Sequence, residues 1–325
     1  MATISGDWSE AEAGVGAGAG TARRAAARPS LWGTALRRLA KNKLAMAGLA
    51  VVVFMFALCF LGPLFSPYAD NKIHMELMNK APSAKHWLGT DKLGRDVLTR
   101  VMQAGRISLT VGLASMALSV FLGTLLGAVA GYYRGVVDQI VMRIGDLLLT
   151  VPGLPLLFIM GALLSEWKVP TSDRMYIVMF MLSFVNWPGI ARMVRGEVLS
   201  LREREFMQAA VVLGLSGRRK IFNHLLPNLV PLIVVIASLN VGGAILSESV
   251  LSFFGLGVMP PTPTWGNMID SANDLIDFQE RPWLWIPPGF CIFASVIAVN
   301  LFGDGLRDVL EPRQTTGRKG RRAAR

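Results

Sequence analysis

Residues 44–65 read LAMAGLAVVVFMFALCFLGPLF. No charge interrupts the run, and about 20 helical residues cross a bilayer core of about 30 Å, so it specifies a transmembrane helix. Five more uncharged runs follow, at 107–133, 147–165, 175–191, 225–247 and 282–303, the fourth of the six being the shortest. All are solidly apolar rather than alternating, which selects helices over the strands of a barrel. The fold class is therefore an all-α polytopic membrane protein with six transmembrane helices. Composition agrees: 52% of the 325 residues are hydrophobic and 17% charged, with a mean hydropathy of +0.45, too apolar for an ordinary soluble domain.

The net charge of +11, from 33 Lys and Arg against 22 Asp and Glu, is decided by its distribution. With the amino terminus inside, most basic residues fall on one side: the N-terminal tail, the turn around Arg134 and Arg143, the segment between the fourth and fifth runs, and the C-terminal tail. That is the positive-inside pattern, with both termini cytoplasmic. The stretch 66–106 is a partial exception, with basic residues offset by Asp70, Glu76, Asp91 and Asp96. No aromatic–basic interleaving supports nucleic acid as a partner; the lipid bilayer is the expected one.

Cys59 and Cys291 both fall inside runs and read as small apolar packing residues. The three histidines have no metal-ligand spacing, so no metal is expected. Residues 5–30, SGDWSEAEAGVGAGAGTARRAAARPS, are low in complexity and read as disordered; with the first apolar run starting only at Leu44, they are not a signal peptide. Residues 31–43, LWGTALRRLAKNK, read either as an amphipathic helix on the cytoplasmic headgroups or as a basic flank that sets orientation.

After the first run comes HWLGTDKLGRDVLTR, 86–100, where Gly89, Gly94, Asp91, Arg95 and Asp96 suggest a hydrogen-bonded turn opening a helix. It is an ordered exposed loop or a partner contact. In the second run Ser115, Ser119, Gly123, Gly127 and Gly131 recur every fourth residue, a small-residue face for close helix packing within the bundle or at a homodimer seam. Pro152, Pro155 and Pro188 interrupt the third and fourth runs and Pro287–Pro288 open the sixth, so kinks are expected. Polar groups at depth are few: Asn186, Asn240 and Glu248 are the candidates for a translocation path.

No G-x-x-x-x-G-K-[ST] loop is present, since GLSGRRK and TGRKGRR lack its spacing and hydroxyl, and no catalytic triad or carboxylate pair is evident. The chain is read as no enzyme, with the energy entering through a partner. The handle for that partner is QAAVVLGLSGRRKIFNHLLPN, 208–228. A helix here presents Ala209 and Ala210 as a low face, Gly214 ends it in the left-handed conformation, Ser216 caps a restart, and Pro227 marks re-entry into the bilayer. The alternative is a self-sufficient ion-coupled carrier or channel, which calls for ionisable groups at the midplane and internal repeats.

Gln208-Ala209-Ala210, Gly214 and Leu226-Pro227 resemble the E-A-A-x-x-x-G…L-P signature of permeases of binding-protein-dependent ABC importers. HWLGTDKLGRDVLTRVMQAGRISL, GVVDQIVMRIGDLLLTVPGLPL and ESVLSFFGLGVMPPTPTWGNMI are similar to the C-type subunit of dipeptide and oligopeptide importers, so that the resemblance covers nearly everything between the tails. It implies a type I importer permease fold, N-in and C-in, in the bacterial cytoplasmic membrane. It implies a second homologous permease in a heterodimer, two ATPase subunits that bind ATP and Mg, an extracytoplasmic solute-binding protein, and no cofactor in this chain. The implied division is a tail 1–30, an N-terminal region 31–105, a permease core 106–312 with a coupling loop 197–228, and a basic tail 313–325. Coupling to the ATPase falls to Glu205, Gln208, Ala209, Ala210, Gly214, Leu215 and Pro227. Gln208 stands where the family often has Glu, which removes a charge that Glu205 is placed to supply. Contact with the binding protein, or an outer gate, falls to Trp87, Asp91, Arg95, Asp96, Pro261 and Trp265.

Overall fold

In a computed structural model of the chain, residues 31–68 and 72–310 are described; the tails 1–30 and 313–325, and Asp70, lie outside them. The helices run as α1 (Leu31–Leu39), α2 (Lys43–Phe65), α3 (Val97–Tyr133), α4 (Gly135–Thr150), α5 (Gly153–Glu166), α6 (Thr171–Arg202), α7 (Glu205–Val212), α8 (Gly217–Lys220), α9 (Leu226–Phe253), α10 (Trp265–Ile269), α11 (Leu275–Glu280) and α12 (Ile286–Leu310). Five stretches are long and apolar enough to cross a bilayer by themselves: α2, α3, α6, the continuous α8–α9 stretch Gly217–Phe253, and α12.

The third expected span, 147–165, is not a straight helix. It takes in the last turn of α4 and most of α5, a pair bent by 87° where Val151 and Pro152 separate them. Pro152 has no N–H and biases the preceding residue away from helix, so α4 ends there. The pair still carries the chain across. Contacts between α3 and α6 advance in the same direction along both, from Ser183 Oγ donating to the Ser115 carbonyl (2.9 Å), through Gly123 at Ile190, to Gly131 at Val198. Two parallel neighbours need an intervening crossing, so the described residues pass six times, and α2 begins on the side where α12 ends. Two bounds move outward: the fourth span, expected at 175–191, belongs to the 32-residue α6, which passes through Pro188 without a break, and the second begins at Val97.

The stripe on α3 packs inside the bundle. A β-carbon at Gly123 would stand 2.6 Å from Ile190 Cβ, and one at Gly131 would stand 2.9 Å from Val198 Cγ1, so their absence is what lets the two backbones approach. Two ion pairs fasten α4 to α6: Arg195 grips Asp138 through two nitrogens at 2.5 and 2.6 Å, and Arg192 meets Asp146 at 2.7 Å. The core divides by depth. An outer cluster joins α2, α3, α9, α10 and α12 around Trp265, Val101, Ile245 and both cysteines; an inner one gathers Val194, Val198, Met207, Ile221 and Leu229 from α6, α7 and the stretch leading into α9. A third packs α5 and α6 against α3 and α9 through Leu157, Met181, Val111 and Leu251. Residues 31–43 form α1 and then a break at which Asn42 caps α2 by accepting from the Ala45 N–H.

Candidate functional site

At the cytoplasmic end, the segment between α6 and α9 folds as the sequence suggests and exposes a different face. Ala210 and Met207 are buried, Met207 within the inner cluster, while Glu205, Gln208 and Ala209 are exposed. The expected Ala209–Ala210 face is divided: Ala209 is exposed, and Ala210, one residue round the helix, points into the bundle. The outward surface continues instead into Val211, Val212 and Leu213, the last two 87% and 75% exposed. The Gln208 amide donates to the Glu203 carbonyl at 3.2 Å, and Glu203 pairs with Arg134 at 2.9 Å.

Gly214 has φ +65°, and Leu215 N–H donates back to the Ala210 carbonyl at 3.2 Å: a left-handed residue closes α7 and turns the chain. Ser216 accepts from Arg219 N–H at 3.4 Å and so caps α8. Residues Ile221–Leu225 then widen to a π turn. Pro227, at the start of α9, has no N–H for the carbonyl one turn back and its ring crowds that position, which the wider turn relieves. The segment is held from beneath by Tyr132, whose carbonyl accepts from Arg202 at 2.6 Å and whose ring lies under both the Arg202 guanidinium (5.5 Å) and the Lys220 ammonium (5.9 Å).

The outer candidates separate by burial. Trp87 is 72% exposed, and Pro261 is exposed at a cleft lined also by Gln103 and Arg106. Of the two roles expected for Trp265, contact with a binding protein does not fit its position. It is fully buried, its Nε1–H donating to the Val101 carbonyl at 3.0 Å and its backbone N–H to Ser108 Oγ at 3.1 Å, so it touches no docked protein from this position. Asp96 is likewise inward: it caps α3 through Thr99 N–H (2.8 Å) and meets His86 at 2.9 Å. Asp91 organises its own loop by accepting from the Leu93 and Arg95 amides and the Arg95 side chain at 2.7–2.9 Å. Gly89 and Gly94 take φ +72° and +74°, as the turn requires.

Of the path candidates, Asn186 and Asn240 are exposed on α6 and α9, each donating to a carbonyl of its own helix at 2.7 and 2.8 Å. Glu248, by contrast, is completely enclosed, held by Ser252 Oγ at 2.8 Å and Ser249 Oγ at 3.4 Å, and lines no path in this conformation. Sequence reading missed the hydroxyls that surround it, because serine spacing alone does not tell which helix each will face. It also missed Asp277, fully buried on α11, with Lys92 Nζ at 2.6 Å and Arg281 Nη1 at 2.7 Å. The i,i+4 spacing of Asp277 and Arg281 was the available signal.

Comparison with known proteins agrees with this architecture. Residues 123–316 match the family described as binding-protein-dependent transport system inner membrane component. Residues 30–82 match the N-terminal TM domain of oligopeptide transport permease C. The chain is 40% identical over 286 residues to the dipeptide transport system permease protein DppC of Alkalihalophilus pseudofirmus, covering 87% of this chain and 90% of the relative. It is 37% identical over 286 residues to the oligopeptide transport system permease protein OppC of Haemophilus influenzae, covering 87% and 89%. It is also 37% identical over 283 residues to the glutathione transport system permease protein GsiD of Pectobacterium atrosepticum, covering 87% and 91%.

Proposed function

Because the chain belongs to the family of inner membrane components of binding-protein-dependent transport systems, we propose that it imports peptides, through a path shared with a second, homologous permease, by alternating access driven by two ATPase subunits. It is a multi-pass permease subunit of an ABC-type importer in the bacterial inner membrane. The peptide class is supported by the relatives, whose names specify dipeptide, oligopeptide and glutathione transport. ATP and Mg are assigned to the ATPase subunits, and an extracytoplasmic binding protein delivers the cargo to the outer face.

The observation that carries the coupling assignment is the surface at the end of α7. Val211, Val212 and Leu213 are exposed on the cytoplasmic side, beyond the bilayer that would otherwise cover them, and an apolar tip on a rigid, capped turn fits insertion into a partner's cleft. Glu205, Gln208, Ala209 and Gly214 lie along the same surface, while Ala210, Leu215 and Pro227 fix the turn beneath it. On the outer side, the exposure of Trp87 and Pro261 supports assigning them to contact with the binding protein, while Arg95 and Asp91 hold the 89–95 turn.

The test is uptake of labelled di- and oligopeptides into proteoliposomes holding the assembled complex, with ATP inside and the binding protein outside. ATP-dependent accumulation that requires the ATPase subunits supports the reading. Uphill uptake by this chain alone, without any ATPase, overturns it.

A further inference from the structure

The buried Glu248 carboxyl accepts from two hydroxyls on its own helix, Ser252 at 2.8 Å and Ser249 at 3.4 Å, and the hydroxyls of Ser108 on α3 and Thr264 at the head of α10 also face it. Three of these hydroxyls are fixed from behind by backbone amides. Val258 N–H donates to Ser252 Oγ at 3.2 Å, Trp265 N–H to Ser108 Oγ at 3.1 Å, and Asn267 N–H to Thr264 Oγ1 at 3.1 Å. A serine or threonine hydroxyl has a single proton. With an amide on one of its lone pairs, that proton is turned toward the carboxyl. Val258 N–H, Ser252 Oγ and Glu248 thus form one amide–hydroxyl–carboxyl chain, and the Trp265 and Asn267 amides end on the two further hydroxyls that surround the same carboxyl. The same residues lie directly on α9 at Gly266, where a β-carbon would overlap the Ser249 carbonyl.

We propose that Glu248 is a positioning residue that clasps the 258–267 segment to the outer ends of α3 and α9, so that this segment moves with α9 and not independently of it. The helix that bears Glu248 is continuous from Gly217 to Phe253, so its inner end adjoins the cytoplasmic turn and its outer end holds the clasp. Between the clasped amides, Pro261 and Thr262 border the cleft shared with Gln103 and Arg106, so displacement of α9 changes the mouth of that cleft. The transport consequence rests on the function proposed above; the clasp does not. Glutamine at 248 keeps the shape but turns an NH2 toward hydroxyls whose protons already point inward, and so disrupts the arrangement.

The test is hydrogen–deuterium exchange on the assembled complex in nanodiscs, read over peptides spanning 258–267, with uptake and ATP turnover measured on the same preparations. In Glu248→Gln, exchange at Val258, Trp265 and Asn267 is expected to accelerate about tenfold or more, and uptake per ATP hydrolysed to fall several-fold. Glu248→Asp, which keeps the carboxylate but withdraws it by one carbon, should accelerate the same amides to a smaller extent and serves if Glu248→Gln fails to assemble. Ser252→Ala, which removes the Val258 acceptor itself, marks the exchange rate of a fully released Val258. Unchanged exchange in the Glu248 variants overturns the clasp. Accelerated exchange with undiminished uptake per ATP overturns the positioning role. Absence of ATP-driven uptake by the unsubstituted complex would instead overturn the proposed function, and the exchange data would still decide whether the clasp exists.

Discussion

A β-carbon at Gly123 on α3 would stand 2.6 Å from the Cβ of Ile190 on α6, so the two longest contacting helices of the bundle meet where one of them has no side chain. Both run in the same direction, which forces the bent α4–α5 pair to return the chain across the bilayer. The close approach is therefore a condition of the six-crossing topology as well as of local packing.

Gly123→Leu is expected to cost at least about 1–3 kcal/mol by overpacking and to lower both membrane yield and melting temperature in detergent. Gly189→Ala, on α6 itself but with no atom of this chain within 4 Å of the added carbon, should be neutral or stabilising by up to about 1 kcal/mol. Equal loss from both would contradict the α3–α6 register.

Membrane class, the number of crossings and the α3 stripe were legible because each rests on a local property: hydropathy over one run, or spacing along one helix. The 87° bend at Val151–Pro152 was legible only as a kink, since proline removes one hydrogen bond but the angle depends on what the freed ends pack against. The burial of Trp265 and Glu248 was not legible for a related reason. An aromatic in a Pro-rich outer loop and a carboxylate after an apolar run both suggest exposure or function, yet each is enclosed by packing that the local sequence does not show, as where Trp265 N–H meets Ser108 Oγ across 157 residues. The face shown by α7 depended on one residue: Ala209 and Ala210 differ by about 100° around a helix, and only packing of Met207 chose between them.

Gly214 has a positive φ and open space around its missing side chain, so substitution there strains the backbone without creating a clash inside the chain. Asn and Asp visit that region at modest cost, whereas β-branched residues do not. Gly214→Val should therefore reduce uptake per ATP hydrolysed more than Gly214→Asn, while both variants insert normally. Indistinguishable coupling in the two would remove the left-handed turn from the mechanism.

Val212 is 87% exposed on the cytoplasmic tip, so Val212→Asp has little effect on the fold of this chain. If the tip docks into the ATPase, burial of that carboxylate without a partner weakens association by several-fold or more, read as loss of the ATPase subunit on co-purification. Ala210→Asp, directed into the bundle, should instead lower the yield of the chain itself. Retention of the ATPase by Val212→Asp would point to another docking surface.

Lys92 joins the loop before α3 to α11, reaching Asp277 at 2.6 Å and Asp274 at 3.4 Å. The hydrogen bond to Asp277 holds the Lys92 ammonium above the usual lysine range, and the Ile276 N–H holds the Asp274 carboxyl below the usual carboxylate range. The raised lysine contributes stability that is complete below its unfolded value of about 10.4 and is lost as pH rises through the folded one. The lowered aspartate contributes stability that is present above its unfolded value of about 3.9 and is lost as pH falls through the folded one. Protection of residues 275–280 from exchange, corrected for the intrinsic pH dependence of amide exchange, should thus be flat from about pH 5 to pH 9 and weaken beyond either end. Lys92→Met leaves the buried Asp277 with Arg281 but removes its second cation. The cost is expected near the low end of about 1–3 kcal/mol, because the Lys92 side chain is 51% exposed and its charge is screened. The variant should lose protection at 275–280 at neutral pH and lose the alkaline limb of the profile. A variant with unchanged protection would mean that apolar packing beneath α11, and not this ion pair, fastens the outer loop to the bundle.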